Sequence, residues 1–383
     1  MALAVRHVAG WIIFVVFAST GPAWAKGSSQ PAEKKEPSVY DKIWRFATWY
    51  DSKENDVVQR VLFSGRFHYE FADVNADQGE VSEWNVRRMR FGPRITLFRN
   101  YTMHVEVEVN PQEHDPFYDR LTDAYIAWST TPKVVVTAGK QSVPFTSEGA
   151  TSSRELITID RSPLANNIWF TEEYMTGLSV SGRTSPWTYR AGIYSAGAEN
   201  GEFGEFNGGL FTLGILGYDF SGTLGIREAS VTGNYVYQQA DVNNTATRPF
   251  DHIMSIHWRL EEGRIGMRGD VSMASGYFTQ PDLWAVMAAP YFNVTPKLQI
   301  VGRYTVVESE RVNGVRLGTY ENRVVTSGRG DSYREGYLGA NYYFYGHRLK
   351  LQTGLHFGEM TDAANDGGAY SGTSWVTGLR IGW

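Results

Sequence analysis

The sequence predicts an all-β fold, a transmembrane antiparallel β-barrel of about sixteen strands with one loop folded inward. Three observations predict it. From about residue 60 onward, apolar and polar residues alternate with period 2, and no convincing helical stretch interrupts them. The joints between alternating segments are tight at some positions and long and polar at others, as in a barrel with short turns at one end and long loops at the other. The last segment puts Trp375, Leu379, Ile381 and Trp383 on one face and Ser374, Gly378, Arg380 and Gly382 on the other. An apolar face tipped with aromatics suits a lipid boundary, and such a last strand must close against the first, since lipid tolerates no open sheet edge.

Composition is consistent with this. Aromatics make up 14% of the 383 residues and there are 40 glycines, a mixture unlike that of a helix-rich soluble enzyme. Cysteine is absent, which excludes disulfides and thiolate metal sites. A net charge of -5 gives no reason to expect a nucleic-acid partner.

Taken in order, residues 1–25 read as a cleavable export signal. Arg6 and His7 precede the apolar run Trp11–Ala18, and Ala23-Trp24-Ala25 offers small residues around a cleavage point before Lys26. The run is shorter than the roughly 20 residues a spanning helix needs. Residues 26–59 form a polar, then aromatic, periplasmic lead-in, with a short helix or plug-like element expected over 38–59. The barrel occupies 60–383, in the bacterial outer membrane, with lipid as its surroundings.

Its expected strands are 60–72, 83–98, 100–111, 120–130, 133–142, 173–183, 186–197, 208–219, 224–240, 249–262, 263–276, 283–293, 296–309, 332–345, 347–360 and 371–383. In the first, Phe63, Phe67, Tyr69 and Phe71 oppose Ser64, Arg66, His68 and Glu70. In the third, Met103, Val105 and Val107 oppose His104, Glu106 and Glu108. Later segments repeat the pattern, as with Leu351, Leu355 and Phe357 against Lys350, Gln352 and His356. Residues 73–82, 241–250, 309–331 and 361–370 read as long loops. A soluble sandwich would alternate too, but aromatics gather at strand ends here (Tyr69 and Phe71, Tyr101, Tyr235 and Tyr237), as in the girdles of membrane barrels.

Several stretches carry a more specific signal. These are Val86-Arg-Arg-Met-Arg-Phe-Gly92, Leu121-Thr-Asp-Ala-Tyr-Ile-Ala-Trp128, Ala138-Gly-Lys-Gln-Ser-Val-Pro-Phe-Thr-Ser-Glu148, Thr151-Ser-Ser-Arg-Glu155 and Ile159-Asp-Arg-Ser162. Together they resemble the phosphate-selective porin O and P family of Gram-negative outer membranes, best over residues 60–195. The resemblance implies a sixteen-stranded homotrimeric channel for small anions with a loop folded into the pore. It also implies a filter of arginines and lysines on wall and loop. The terminal Trp383 departs mildly from the phenylalanine that usually ends such barrels.

Alternation places Arg66, Arg88, Arg90, Arg94, Arg190, Arg259, Arg268, Arg303, Lys350 and Arg380 toward the lumen. The inward acids are fewer, namely Glu70, Glu106, Glu108, Asp123, Glu228 and Asp270, so a net-acidic chain is expected to have a basic lumen. A basic residue facing lipid would cost about 2–4 kcal/mol near the midplane. Residues 143–169 form the candidate constriction loop, with charges at Glu148, Arg154, Glu155, Asp160 and Arg161. Arginine there could grip an oxyanion with paired donors, or could pin the loop by pairing with acids.

The Arg-Gly-Asp at 329–331, the glycosylation-like triplets at 243–245 and 293–295, and His252 and His257, which fall on opposite strand faces, carry no function. No nucleophile elbow, zincin or phosphate-loop motif is present, and no cofactor is expected. Three readings remain. The first is passive diffusion of small anionic or polar solutes without catalysis. The others are a barrel enzyme at the membrane surface and a structural or adhesive barrel with a closed lumen. Sixteen strands favour the first, because a barrel of that size leaves an aqueous channel unless plugged.

Overall fold

The computed structural model describes residues 36–383 apart from 113–114, 132, 170–173, 198–201, 204–205 and 245–246, so the expected export signal lies outside the described residues. Sixteen strands pair antiparallel, each with its sequence neighbour, and the last returns to the first. They are β2 (Val58–Ala76), β3 (Gly79–Leu97), β4 (Tyr101–Val109), β5 (Tyr118–Thr131), β6 (Val134–Ser142), β7 (Tyr174–Thr184), β8 (Trp187–Ser195) and β9 (Leu210–Asp219). After these come β10 (Glu228–Gln238), β11 (Phe250–Glu262), β12 (Ile265–Gly276), β13 (Leu283–Asn293), β14 (Leu298–Ser309), β17 (Ser332–Tyr345), β18 (Leu349–Thr361) and β19 (Tyr370–Gly382). Three elements outside the wall are a short edge strand, β1 (Thr48–Asp51), and a two-stranded ribbon of β15 (Val315–Arg316) and β16 (Arg329–Gly330). No helix among the described residues is long and apolar enough to cross a membrane.

The closing seam answers to the alternation. β19 pairs with β2 from Gly372↔Ala76 to Gly382↔Arg66, and Trp383 and Gly65 exchange backbone hydrogen bonds of 3.0 and 3.1 Å. Beyond Gly65 the same edge of β2 is taken over by β1, with Thr48 opposite Leu62 and Asp51 opposite Arg60. The segment before it, helix α1 (Val39–Trp44) and a 3-10 turn, crosses the rim, where Trp44 Nε1 donates to the carbonyl of Gly382 at 2.7 Å. Phe46 and Trp49 pack on the outward rings of Trp383 and Phe63. The described part of the lead-in therefore lies on the rim and the outer wall, outside the lumen.

The first long loop expected from sequence, 73–82, is instead the tip of the β2–β3 hairpin, in which only Asp77 and Gln78 lie between the strands. Asp73, Asn75, Glu80 and Ser82 share its outward face. Outward polarity there marks where the wall leaves the lipid, and the sheet itself continues. Lower on the wall, outward aromatics form girdles: Tyr101 stacks on Trp128, Trp187 meets Tyr218 edge-on, and Trp84, Phe71 and Trp375 form a chain.

The hydrophobic core lies inside the barrel. Residues 143–169 leave β6, enter the lumen and form helix α2 (Pro163–Ile168), capped by the Ser162 hydroxyl. Val143, Phe145, Ile157, Ile159, Leu164, Ile168 and Trp169 pack there against inward Phe211, Leu213, Val236, Ile253, Met287 and Val301. Strands such as β13 are thus apolar on both faces, which blurs a period-2 reading. A second loop, between β14 and β17, also turns inward, burying Leu317, Tyr320 and Glu321 around helix α4 (Glu321–Val324). The remaining helix, α3 (Ser221–Leu224), sits in the turn before β10.

Candidate functional site

Charged side chains project into the lumen from the wall, and the inserted loop divides them into two groups. Against the loop, each buried cation has a partner. Arg66 bonds Glu106 (3.3 Å) and Ser153 (2.9 Å). Arg90 grips Glu108 with two 2.9 Å bonds and donates to the Tyr174 hydroxyl at 2.6 Å. Arg303 bonds Glu335 (2.8 Å), Glu148 of the loop (3.1 Å) and the carbonyl of Asp160 (2.7 Å). Arg380 pairs with Glu70 and reaches the carbonyl of Ile159. Lys350 donates to the carbonyl of Leu156 at 2.6 Å, and Arg259 to the Thr151 hydroxyl at 2.8 Å. Burial dictates this pattern, because a desolvated charge is tolerated only when paired or hydrogen-bonded.

The loop's own charges serve the same end. Arg161 donates to the carbonyls of Glu148 (3.1 Å) and Thr151 (3.4 Å), and Arg154 to that of Trp383 (3.2 Å). Both arginines thus reach backbone carbonyls, which ties the loop to itself and to the closing strand. Asp160 lies 3.9 Å from Arg87, and Glu155 is exposed. Across the lumen, Asp270 accepts from the backbone N–H of Ser147 at 2.5 Å, which anchors the near end of the loop.

Cations on the water-facing side are held differently. Arg190 bonds the neutral Gln141 side chain at 2.7 Å. Arg94 and Arg268 make no hydrogen bond or ion pair among the described residues, and Arg94 is exposed. Arg88 faces inward opposite His68 and lines a cavity of about 280 Å³ between loop and wall. Arg87, Arg120, Arg161 and Arg248 also border this space, with Asp160, Glu321 and Glu335 as its acids. Among the described residues no cluster of three or more acids and histidines is disposed to hold a metal ion.

Strict alternation missed Arg87 and Arg120, and both omissions have the same cause. The ladder shifts between His68↔Arg88 and Tyr69↔Val86, making Arg87 an extra residue that comes within 3.8 Å of lumenal Glu70. A second shift, between Glu106↔Asp123 and Val107↔Leu121, brings Arg120 to Glu108 at 2.9 Å. Each bulge inserts one residue and reverses the facing beyond it. Glu335 and Glu261, also inward, were missed as well; Glu335 shares its face with Tyr337 and Asn341, a pattern that alternation in 332–345 could have shown. The four omissions, two cations and two acids, cancel in sign and leave the wall's charge balance as the sequence suggested.

A sequence model of the family described as phosphate-selective porin O and P matches residues 61–261. The chain belongs to this family. Among solved structures, the porin is similar to OmpT, an outer membrane protein of Vibrio cholerae, at 15% identity and TM-score 0.55, over 87% of this chain and 100% of that one. It is also similar to Pseudomonas putida OprB, at 10% identity and TM-score 0.59, covering 84% of this chain and 94% of that one. A third likeness is the outer membrane channel DcaP of Acinetobacter baumannii, at 12% identity and TM-score 0.54, over 87% and 100%. At these identities the likeness concerns the barrel alone. No curated protein sequence matches the chain. The porin is thus an outer-membrane channel protein of sixteen strands.

Proposed function

We propose that the porin conducts small hydrophilic anions, oxyanions among them, by passive diffusion. The reading rests on one observation. Where loop and wall are in contact the charges are paired or hydrogen-bonded, whereas the open path keeps Arg94 and Arg268 without ion-pair partners among the described residues. Low-dielectric walls concentrate the field of such charges on a passing ion. The short-turn end carrying the rim segment is periplasmic, and residues 1–25 are removed on export. The working unit is a homotrimer, with its interface on the wall of short strands around β6. There the outward Lys140 is fully covered and donates to the carbonyl of Glu202 at 2.7 Å, a charge that open lipid would not accommodate.

The test is a single-channel recording of the purified porin in a planar bilayer under a potassium chloride gradient. A reversal potential favouring chloride is the expected result. Cation preference would overturn the anion reading, and absence of conductance would overturn diffusion itself.

A further inference from the structure

The ribbon at the base of the inward-turning β14–β17 loop pairs two arginines. Arg316 and Arg329 are direct cross-strand partners in an isolated two-by-two ladder. Like charges placed directly opposite repel. The ribbon is held against that repulsion by buried Val315 and by Asn167, which bonds the backbone N–H and carbonyl of Arg316 at 2.8 and 3.0 Å. A third cation joins them from the β10–β11 loop: Arg248, whose Nε and Nη1 are buried without a hydrogen-bond partner. Its Nη2 alone is engaged, by the carbonyl of Asn166 on the constriction loop. Among the described residues bordering this niche, which include Asn166, Asn322, Ser327 and Arg323, none is acidic. Arg323 is turned to Glu83 at 3.4 Å. Burial, then the repulsion of Arg316 and Arg329, holds the Arg248 guanidinium well below its usual pKa, and burial followed by Arg329 brings Arg316 down to about 10.

We infer that Arg248, Arg316 and Arg329 form a site for a small multi-oxygen anion that staples the β14–β17 loop into the mouth of the barrel. An anion with three or more oxygens can accept from all three guanidinium forks at once. It would convert the Arg316–Arg329 repulsion into two attractions and satisfy the idle Arg248 donors. What it controls follows from the loop beyond the ribbon. Between the two arginines the chain drops Tyr320 onto Glu70 of the wall, Thr319 onto Arg87 at 3.3 Å and Glu321 onto Ser374 at 3.1 Å. These contacts narrow the path beside Asp160 and Arg161. Occupancy of the staple therefore favours the narrowed state, and its loss favours withdrawal of Tyr320. The inference concerns regulation of the mouth and does not depend on which ion the channel prefers.

The experiment is limited trypsin digestion of the full-length purified porin in detergent, following cleavage after Arg323, with inorganic phosphate titrated against potassium chloride of equal ionic strength. Phosphate at about ten times its dissociation constant should slow that cleavage about tenfold, because the anion binds only the docked loop. The double variant R316Q/R329Q should lose this protection. The single variant R316E, which sets a carboxylate opposite Arg329, should be protected without phosphate. Equal protection of wild type and R316Q/R329Q, or no protection of wild type, would overturn the site. Protection that requires a phosphate-bearing lipid in reconstituted vesicles, and not the free anion, would overturn its assignment to a small soluble ligand. The reversal potential is read on the same preparation, so anion preference can stand or fall separately.

Discussion

Replacing Arg303 by methionine is the sharpest test of how the constriction loop is held. The guanidinium is almost wholly buried and joins wall to loop through Glu335, Glu148 and the carbonyl of Asp160. It also lies 5.0 Å over the Tyr337 ring. Methionine matches much of its volume but leaves two carboxylates buried with reduced compensation. Breaking one buried pair costs about 3–5 kcal/mol. Glu335 retains His356 at 3.0 Å and Glu148 retains the Thr158 hydroxyl at 3.0 Å, which argues for the lower part of that range. R303M should therefore lose about 3 kcal/mol of unfolding free energy in a urea titration of the refolded barrel. Its single-channel trace should become noisier and its mean conductance higher as the loop loosens. The triple variant R303M/E335Q/E148Q should recover most of the stability, because no charge then remains unpaired. An R303M barrel within about 0.5 kcal/mol of wild type, the scatter of an ordinary surface substitution, with an unchanged trace, would refute the tie.

Other sites give independent checks. R94E/R268E should move the reversal potential toward cations while leaving unfolding within about 0.5 kcal/mol of wild type, since neither arginine has a partner to lose. Leu338→Arg, on the outward face of β17, should cost about 2–4 kcal/mol in a folding titration into vesicles if that face meets lipid near the midplane. Gly92→Ala should prevent the heat-modifiable, SDS-resistant form on gels, because a Cβ there would lie 1.9 Å from the carbonyl oxygen of Val105 on β4. Trp44→Ala should lower stability by about 1 kcal/mol through loss of the bond to Gly382, with no change in ion preference, since the rim segment stays out of the lumen.

The barrel was legible because lipid imposes a strict rule on one face of every strand. Phe67, Tyr69 and Phe71 could be assigned outward with no knowledge of their neighbours, and Arg66, His68 and Glu70 inward with them. The rule fails where the wall leaves the lipid, as at Asp73 and Asn75, and where a bulge adds a residue, as at Arg87. Neither exception alters composition or spacing enough to be seen in a single sequence. The constriction loop could be located as the long break in alternation, and its residues Arg154 and Arg161 recognised as candidates for pinning. Among the acceptors they reach are carbonyls contributed by Trp383, Glu148 and Thr151. Backbone acceptors have no sequence signature, so only the path of the loop could reveal them. The second inserted loop was missed as an insertion because its buried Tyr320 and Glu321 sit among glycines, arginines and asparagines that read as solvent-exposed.

The inserted loop also divides the wall charges by their surroundings. A cation under the loop is dry, and an unpaired dry charge costs more than the fold can carry. Arg66, Arg90, Arg303 and Arg380 consequently sit with Glu106, Glu108, Glu335 and Glu70. A cation on the open path is solvated and needs no acid. An acid placed beside it would cancel the field that acts on a passing ion. On the proposed reading, stability and selectivity fall to different arginines by one variable, whether the loop covers them. It follows that R303M and R94E should be nearly additive in unfolding free energy, with R94E moving selectivity and R303M principally the noise of the loop. A substantial selectivity shift in R303M at unchanged loop noise would show that buried, paired charges also set the field of the path, and the division would fail.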